Sequence, residues 1–590
     1  MKIQNRLRSL LASCFIAATL VSAAPAAEKK PNVVIILADD QGWGDLSVNG
    51  NANLATPNID SLAKAGALLE RFFVCPVCSP TRAEMLTGRY HLRGGVRGVS
   101  NGQERLHPDE RTIAETFKAA GYATGAFGKW HNGSQWPYHP NARGFEEYYG
   151  FTSGHWGSYF DPPLEHNGQL VQGKGFITDD LTDHALTFIE KNQAHPFFCY
   201  IPFNTPHSPF CVPDEYWNRF KDKPVGLRGN PGEKEDLTQT RCVLAMCENI
   251  DANVGRVLRR LDELKLSDDT IVIYFSDNGP NTWRWNGGMK GRKGSVDEGG
   301  VRSPFLIRWP GHIPSGTRLP QIAGAIDLLP TLADLAGVPV VGEKPLDGIS
   351  LKPLLLGASG DWPDRMIFSH WAGKTSVRSQ RYRLDQSGQL FDMQADPGQA
   401  RDIAPEQPEV AARLSQALSA WRQELLAKPP EDRPFTVGYR EFPLTPLPAR
   451  VGVPHGNVRR SAKAPNCSFF QNWTSPADSI TWDIEVATAG QYEATIYYTC
   501  PEADLGSMIE LSFNGSRLEG AVTVANDPPL LGAERDRSPR ESESYVKDFK
   551  PLRLGVIDLK SGRGELTLRA LKVPGKQVMD VRMVLLNLVK

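Results

Sequence analysis

Neither sign of charge is in excess in this sequence: 66 lysines and arginines nearly cancel 67 aspartates and glutamates, and no basic or acidic block stands out. This balance excludes a protein that coats nucleic acid or another polyanion, so any recognition of an anion must be local. Long apolar runs are also missing beyond the N-terminal segment, because none approaches the roughly 20 residues that span a bilayer. We therefore expect no nucleic-acid partner and no membrane span.

The N-terminal segment has the order of a secretory signal peptide. Positive residues at positions 2, 6 and 8 precede an apolar stretch over residues 10–21, and small residues follow around Ala24-Pro25-Ala26. This order predicts a signal peptide over residues 1–26 and a periplasmic or secreted mature protein.

Cysteine is sparse, with nine residues in 590. An oxidising compartment permits disulfides, and a bond between Cys467 and Cys500 fits because both lie in the same C-terminal segment. The spacing of Cys75 and Cys78 is compatible with a redox pair, and Cys242 and Cys247 can simply be core thiols on a helix. The sequence alone does not fix the pairing.

Over residues 31–430, apolar strand-like runs alternate with amphipathic helical stretches. This is the pattern of a layered α/β domain with a mainly parallel central sheet. Apolar residues at three- and four-residue intervals predict the longest helix over residues 241–264. Thr56-Pro57 and Thr112 start two shorter predicted helices. The clearest strands are predicted over residues 33–38, 123–127, 197–203 and 270–275.

Acidic and amide side chains follow two of these predicted strands. Asp39 and Asp40 come directly after one, and Asp277 and Asn278 follow another. Ligands in open α/β sheets bind beyond the carboxyl ends of strands, and these oxygen donors suit Ca²⁺ or Mg²⁺ better than Zn²⁺. Any one aspartate alone would be a strand-end cap. The two strand ends together predict a metal site.

A second candidate site centres on Cys78. Ser79 is a good N-cap and Pro80 a good first helical residue, so we expect Cys78 to lie just before a helix N-terminus. Backbone N–H groups and the helix dipole favour an anion there, and Arg82, one turn on, can bind the same anion. Taken alone, a cysteine in this position is more often a structural thiol.

These residues resemble a known family. The runs Cys78-Ser79-Pro80-Thr81-Arg82 and Leu86-Thr87-Gly88-Arg89 are similar to the signature of the formylglycine-dependent sulfatases, the arylsulfatase-like branch of the alkaline phosphatase superfamily. Further blocks resemble that family, in family order, over residues 31–404. They are Ala38-Asp39-Asp40, Gly128-Lys129-Trp130-His131, Pro206-His207-Ser208-Pro209, Ser276-Asp277-Asn278-Gly279, residues 293–302, Leu390-Phe391-Asp392-Met393 and Asp396-Pro397.

The resemblance implies an alkaline phosphatase-like fold and a sulfatase that acts on a sulfated small molecule or glycan. It implies that a formylglycine-generating maturation enzyme oxidises Cys78. The hydrate of formylglycine is a geminal diol, of which one hydroxyl attacks sulfur and the other later expels sulfate. The nucleophile is thereby regenerated in each cycle.

The resemblance also assigns a metal ion and two polar residues to this diol. Arg82 would steady the ionised diol, and His131 would take the proton that drives the release of sulfate. One Ca²⁺ would lower the free energy needed to ionise the diol and would polarise a sulfate oxygen. Its ligands would be Asp39, Asp40, Asp277 and Asn278, together with the modified Cys78.

Lysine and histidine residues complete the implied site. Lys129 and Lys293 would neutralise charge on the sulfuryl oxygens. His207, with Lys293, would lie beside the leaving oxygen and help to protonate it. Lys290 is the alternative to Lys293, because a register slip in this glycine-rich loop would exchange the two.

Loops beyond these blocks hold candidates for the rim of the pocket. Aromatic rings there would suit sugars, and packed aromatic residues are the equal alternative. The candidates are Trp136, Tyr138, His139, His155, Trp156, Trp283, Arg284 and Trp285.

We predict four segments after the signal peptide. Residues 27–360 form the catalytic α/β domain, and residues 361–430 form a small α+β subdomain with a final helix over 409–426. The proline-rich residues 431–463 are predicted to be an irregular linker. Residues 464–590 alternate apolar and polar side chains and predict an all-β sandwich. The sandwich resembles carbohydrate-binding modules, with a structural or dimer-forming role as the alternative.

Three functions fit the sequence. The first is calcium-dependent hydrolysis of sulfate monoesters, on sulfated saccharides or aryl sulfates, by a formylglycine derived from Cys78. The second is hydrolysis of phosphodiesters or phosphonate esters, which the same superfamily also performs. The third is a sulfated-glycan binding protein in which Cys78 stays unmodified, although the joint presence of Cys78 and His131 argues against it.

Overall fold

The structure is a computed structural model that describes residues 30–357, 362–427 and 429–589. The predicted signal peptide over residues 1–26 lies outside these ranges. Within them, no helix combines the length and the apolar character that crossing a bilayer requires.

An eleven-stranded sheet forms the centre of the α/β domain in the described chain. Its strands are β1 (Asn32–Ala38), β2 (Ala67–Phe73), β3 (Ala123–Lys129), β4 (Glu147–Phe151), β5 (Pro163–His166), β6 (Gln169–Gln172), β7 (Phe197–Pro202), β8 (Thr270–Ser276), β9 (Arg302–Ser303), β10 (Phe305–Arg308) and β11 (Thr317–Gly324). The order is β11-β2-β10-β8-β1-β7-β3-β4-β5-β6, with β9 paired to β2. The central strands β8, β1, β7, β3 and β4 are parallel, which confirms the predicted α/β class.

Helices cover both faces of this sheet. They are α1 (Pro57–Lys64), α2 (Cys78–Thr87), α3 (Ile113–Ala119), α4 (Ile177–Lys191), α5 (Asp214–Phe220), α6 (Leu237–Glu263), α7 (Glu298–Val301), α8 (Leu328–Leu335), α9 (Lys352–Leu355) and, in the subdomain, α10 (Pro408–Leu426). Alternate residues of β1 point to opposite faces. Val34 and Ile36 pack into one core with α1, α4 and α6, whereas Val33 and Ile35 pack into another with α2, α3 and α8.

Capping side chains set the starts of α3 and α6. Thr112 and Glu115 form a capping box at the start of α3, as Thr112 suggested. The longest helix, α6, begins four residues before the predicted position because Asp236 caps it, accepting the N–H groups of Thr238 and Gln239.

The subdomain is a four-stranded antiparallel sheet with α10 packed on it through Leu414 and Leu418. Its strands are β12 (Ile367–Trp371), β13 (Lys374–Arg378), β14 (Tyr382–Asp385) and β15 (Leu390–Asp392).

Two six-stranded sheets in the described chain form the C-terminal sandwich around a core that includes Trp473, Trp482 and Ile496. The strands are β16 (Phe435–Val437), β17 (Leu444–Pro448), β18 (Val453–His455), β19 (Arg459–Arg460), β20 (Phe470–Gln471), β21 (Ser479–Val486), β22 (Gly490–Thr499), β23 (Met508–Phe513), β24 (Ser516–Ala521), β25 (Lys550–Leu559), β26 (Gly562–Lys572) and β27 (Asp580–Leu588).

The segment 431–463 is not the irregular linker that its prolines predict. β16 and β18 pair with β21, and β17 pairs with β27, so the segment contributes strands to both sheets of the sandwich. Pro446 and Pro448 lie within β17, at a sheet edge where a missing N–H breaks no ladder. The prediction failed because proline excludes a central strand but not an edge strand.

The expected disulfide between Cys467 and Cys500 is wrong. All eight cysteines in the described chain are free and buried. The Cys467 thiol donates to the carbonyl oxygen of His155 at 3.3 Å, and that of Cys500 donates to Val578 at 3.4 Å. Sharing one C-terminal segment did not bring the two sulfurs together.

Candidate active site

The carboxyl ends of β1 and β8 bring four predicted site residues together. The two strands pair in parallel with Ala38 opposite Ser276, so Asp39-Asp40 and Asp277-Asn278 continue side by side. The Asp40 N–H donates to Asp277 Oδ1 at 3.2 Å, and Asn278 Nδ2 donates to Asp40 Oδ1 at 2.8 Å. All four side chains are buried.

Cys78 is the first residue of α2 and lies close to these carboxylates. Its sulfur and one carboxylate oxygen each of Asp39 and Asp277 lie within 4.8 Å of one another. The expected N-cap, Ser79, is wrong: Val77 precedes the helix with extended backbone, and Ser79 lies in the first turn. Cys78 thus occupies the helix N-terminus itself, where the dipole and free N–H groups favour an anion.

Arg82 and Thr81 fix α2 to the end of β8. Arg82 Nη2 and Nε lie 2.8 and 3.1 Å from Asp277 Oδ2, and Nη1 donates to the Lys129 carbonyl oxygen at 2.6 Å. Thr81 Oγ1 donates to the Asp277 carbonyl oxygen at 2.6 Å. This role of Thr81 was not among the predictions, although its place between Cys78 and Arg82 was a usable signal.

Two lysines bring positive charge to the aspartates. Lys129, at the end of β3, is fully buried and donates to Asp39 Oδ2 at 2.6 Å. Lys293 Nζ lies 2.6 Å from Asp40 Oδ1. Burial acts to lower the pKa of Lys293, but the Asp40 carboxylate raises it above its ordinary value. Lys290 Nζ instead lies 5.9 Å from the centroid of the Phe391 ring, so the structure places Lys293 at the aspartates.

The aspartates crowd negative charge into a buried space. Burial, with the neighbouring Asp39, raises the pKa of Asp277 to about 6. Burial also raises the pKa of Asp39, against the opposing charge of Lys129. Burial also acts to raise the pKa of Asp40, but Lys293 and His207 hold this pKa well below its usual range. A cation bound among these carboxylates would favour their ionised forms.

Three buried oxygens of this cluster have no hydrogen-bond partner within the described residues: Asp39 Oδ1, Asp40 Oδ2 and Asn278 Oδ1. A buried oxygen left in this way costs free energy unless a donor or a cation binds it. Carboxylate and amide oxygens are the ligands that Ca²⁺ and Mg²⁺ take in proteins. The residues at the two strand ends therefore fit a divalent cation of this kind.

His131 follows β3 with a left-handed backbone, φ 68°, which is uncommon for a residue with a side chain. Its Nε2 lies 2.8 Å from the Val99 carbonyl oxygen, and its buried Nδ1 has no hydrogen-bond partner in the described chain. Burial, with the charges of Lys129 and Arg82, lowers the pKa of His131 to about 3. The ring is therefore neutral near pH 7, with Nε2–H bound to Val99 and Nδ1 free to accept a proton.

His207 lies on another side of the cluster and borders a cavity. Its Nε2 is 3.5 Å from Asp40 Oδ2, and burial lowers its pKa against the raising effect of Asp40. The cavity has a volume of about 320 Å³, and Asp40, His207 and Lys293 are among its lining residues. A small organic group can thus reach the charged cluster from this side.

Among the rim candidates, Trp283 lines this cavity, and the Arg292 guanidinium lies 5.0 Å from its ring centroid. Several others serve packing instead: Trp136 stacks on Phe442, Trp156 stacks on Phe151, Trp285 tilts against Trp43, and Arg284 pairs with the buried Asp45.

The sandwich also reaches the cavity, which the sequence analysis did not predict. Residues 538–543 line it. Glu543 Oε2 accepts a hydrogen bond from Ser208 Oγ at 2.9 Å, and Oε1 lies 3.1 Å from His155 Nδ1. The Nδ1 atoms of His155 and His207 are 3.3 Å apart. Glu543 is 335 residues from Ser208 in the chain, so no local signal could have placed it here.

Comparisons with known proteins match the chain to two family profiles. The sulfatase family profile matches residues 31–338, and a profile described as N-sulphoglucosamine sulphohydrolase, C-terminal, matches residues 292–424. N-acetylgalactosamine-6-sulfatase of Mus musculus is 33% identical over 388 residues, covering 60% of this chain and 71% of that protein. Arylsulfatase A of Homo sapiens is 34% identical over 436 residues, covering 66% of this chain and 80% of that protein.

The crystal structure of Ps i-CgsB in complex with k-i-k-neocarrahexaose has 31% sequence identity and a TM-score of 0.61, covering 67% of this chain and 94% of that one. The fold and these matches define an alkaline phosphatase-like hydrolase of sulfuric esters. The chain belongs to the sulfatase family.

Proposed function

We propose that this sulfatase hydrolyses sulfate monoesters of saccharides in a calcium-dependent reaction, with a formylglycine made from Cys78 as the nucleophile. The position of Cys78 carries the proposal. Its sulfur lies at the N-terminus of α2, within 4.8 Å of carboxylate oxygens of Asp39 and Asp277. A purely structural thiol needs no such neighbours, whereas a nucleophile that must ionise beside a cation does.

Two groups complete the proposed site. Formylglycine, as its hydrate, would supply one hydroxyl to attack sulfur, and loss of the proton of the other hydroxyl would form the aldehyde C=O and break the C–O bond to sulfate. Asp39, Asp40, Asp277 and Asn278 would hold Ca²⁺, which supplies positive charge that favours the ionised hydroxyl and polarises a sulfate oxygen. Export through residues 1–26 and conversion by a formylglycine-generating enzyme belong to the same proposal.

The side chains around Cys78 position the ester and accept protons. The ammonium groups of Lys129 and Lys293 place positive charge where the sulfuryl oxygens would bind, and that charge is worth most as the transition state forms. Arg82 holds Asp277 in place and steadies the ionised hydroxyl at position 78. His131, whose buried Nδ1 has no hydrogen-bond partner in the described chain, takes the proton that drives the release of sulfate.

The leaving alcohol would lie in the cavity beside His207 and Lys293. A sugar alkoxide is a poor leaving group, so protonation of its oxygen by His207 or Lys293 lowers the barrier. Trp283 offers a ring face that suits the C–H face of a sugar. A saccharide substrate is also supported by the names of two relatives, an N-acetylgalactosamine-6-sulfatase and a protein solved with neocarrahexaose.

The first test is the mass of the tryptic peptide that carries Cys78, from protein made together with a formylglycine-generating enzyme. We expect a loss of about 18 Da and reaction with an aldehyde probe. An unmodified thiol, in a host that converts a known sulfatase, would contradict the proposal and favour a glycan-binding protein.

The second test is turnover of N-acetylgalactosamine 6-sulfate, other sulfated monosaccharides, 4-nitrophenyl sulfate and bis(4-nitrophenyl) phosphate. We expect the sulfate esters to be cleaved and Cys78→Ser protein to fold but cleave none. Faster cleavage of the phosphodiester than of every sulfate would favour the diesterase alternative.

A further inference from the structure

The segment between the paired residues Leu531 and Val546, residues 532–545, is held in shape by the sandwich itself. We call it the sandwich loop. Arg540 pairs with Asp536 at 2.7 Å and donates to the Ser544 carbonyl oxygen at 2.9 Å. The Ala464 N–H donates to the Ser542 carbonyl oxygen at 2.9 Å. These bonds give the loop a defined shape before any substrate binds.

Hydrogen bonds also attach the sandwich loop to the α/β domain. The Arg537 N–H donates to the Phe210 carbonyl oxygen at 2.7 Å, and its Nη2 donates to that of Val212 at 3.1 Å. Gln239 Nε2 donates to Ser538 Oγ at 3.3 Å. The sandwich loop is therefore a fixed part of the cavity wall.

Glu543 is the residue of this loop that contacts Ser208 and His155, next to the predicted leaving-group side. Its carboxylate accepts a hydrogen bond from Ser208 Oγ at 2.9 Å and lies 3.1 Å from His155 Nδ1, and its side chain is 15% exposed. It lines the cavity together with His207 and Lys293. Each carboxylate oxygen has further lone pairs, so Glu543 can accept hydrogen bonds from a ligand in the cavity.

A carboxylate fixed at this position discriminates between hydroxyl groups and anionic groups on a bound sugar. Sugar hydroxyls next to a sulfate ester are donors that a carboxylate binds well. An anionic group in direct contact with the Glu543 carboxylate, such as a uronate or another sulfate, would be repelled by it. A plain aryl sulfate offers no hydroxyl to bind.

We propose that Glu543 of the sandwich is a specificity-determining residue, which binds free hydroxyls of the sugar that carries the scissile sulfate. The inference rests on the proposed sulfatase function and goes beyond it, because it makes the sandwich part of the active site. The sandwich then selects a sugar with unmodified hydroxyls beside the sulfate.

The experiment compares kcat/KM of the full chain for sulfated monosaccharides and for 4-nitrophenyl sulfate, in wild-type, Glu543→Gln and Glu519→Gln proteins. Glu543→Gln keeps the shape of the side chain but loses the charged acceptor. We expect it to reduce the ratio of sugar to aryl activity by about 10- to 100-fold, the range of a lost hydrogen bond to a charged group. Glu519, exposed on β24, is the matched control and should leave the ratio unchanged.

A second measurement separates binding from turnover. Calorimetric binding of the same monosaccharide sulfates to Cys78→Ser protein should weaken when Glu543→Gln is added, while binding of inorganic sulfate should not. Equal losses on both substrates in the activity assay, or no loss on the sugar, would overturn the inference. Wild-type protein that cleaves neither kind of sulfate would instead overturn the proposed function, and the binding measurement would still report on Glu543.

Discussion

Arg82 holds Asp277 through two guanidinium nitrogens, with Nη2 at 2.8 Å and Nε at 3.1 Å from Oδ2, and neither side chain is exposed. A third nitrogen of the same group binds the carbonyl oxygen of Lys129. One side chain on α2 thus ties together the ends of β3 and β8. The position of Cys78, four residues earlier on the helix, depends on this tie.

Arg82→Lys should therefore reduce both activity and stability. Lysine cannot reproduce the forked contact, and breaking a buried ion pair costs about 3–5 kcal/mol. We expect kcat to fall at least about 100-fold and the urea midpoint of unfolding to drop. Arg381→Lys, in an exposed pair with Asp392, is the control and should change neither. Activity of Arg82→Lys near that of wild type would show that the tie does not position the nucleophile.

Lys290 and Lys293, in the glycine-rich loop, can be compared directly by substitution. Lys293→Ala should reduce kcat on sulfate esters by about 100-fold or more, because it removes a cation that faces the sulfuryl and leaving oxygens. Lys290→Ala removes an equal charge three residues away, beside Phe391, and should retain most activity. Steady-state kinetics of both variants shows which of the two lysines acts in catalysis. A greater loss in Lys290→Ala would reverse the assignment.

Removal of bound metal should inactivate the enzyme and lower its melting temperature. The unsatisfied oxygens of Asp39, Asp40 and Asn278 would lose their cation, and a ligand at 100 times its Kd stabilises a fold by about 2.7 kcal/mol. We expect Ca²⁺ to restore both properties after chelation and Asp277→Asn to bind less calcium by elemental analysis. Full activity in calcium-free protein would contradict the assignment of the site.

A buried acid on α2, Glu84, gives a prediction about pH. Burial raises the pKa of Glu84 from 4.5 to about 8, although hydrogen bonds from Cys75 and His91 lower it. Between these values the folded protein binds a proton that the unfolded chain releases, so the free energy of unfolding falls as pH rises from about 4.5 to about 8.

Glu84→Gln removes this titration. The difference in melting temperature between about pH 5 and about pH 8 should therefore be smaller in the variant than in wild type. Glu409→Gln, at an exposed position on α10, should retain the wild-type difference. An undiminished difference in Glu84→Gln would show that Glu84 titrates near its ordinary value.

Much of the site could be predicted because its residues lie in short runs at the ends of regular elements. The strands before Asp39 and Asp277 contain the apolar runs 33–38 and 271–275, and β1 and β8 are adjacent and parallel, so their carboxyl ends meet. Lys293 could be favoured over Lys290 from its place in its run. These parts of the fold depend on local pattern and on rules of sheet topology.

The missed features depend on contacts between distant segments. No periodicity connects Glu543 with Ser208, and the edge position of Pro446 in β17 depends on where β27 lies. The absent bond between Cys467 and Cys500 depends likewise on the separate surroundings of each thiol. Such contacts are set by tertiary packing, which composition and spacing do not encode.

The strands of residues 431–463 constrain how this architecture can be inherited. A recombination event that cut the gene near codon 463 would leave β16, β17 and β18 behind and expose the edges of β21 and β27 to pairing with other chains. A transferable module must therefore begin before residue 435. Even then, Glu543 finds its partners only on a host domain that offers counterparts of Ser208 and His155.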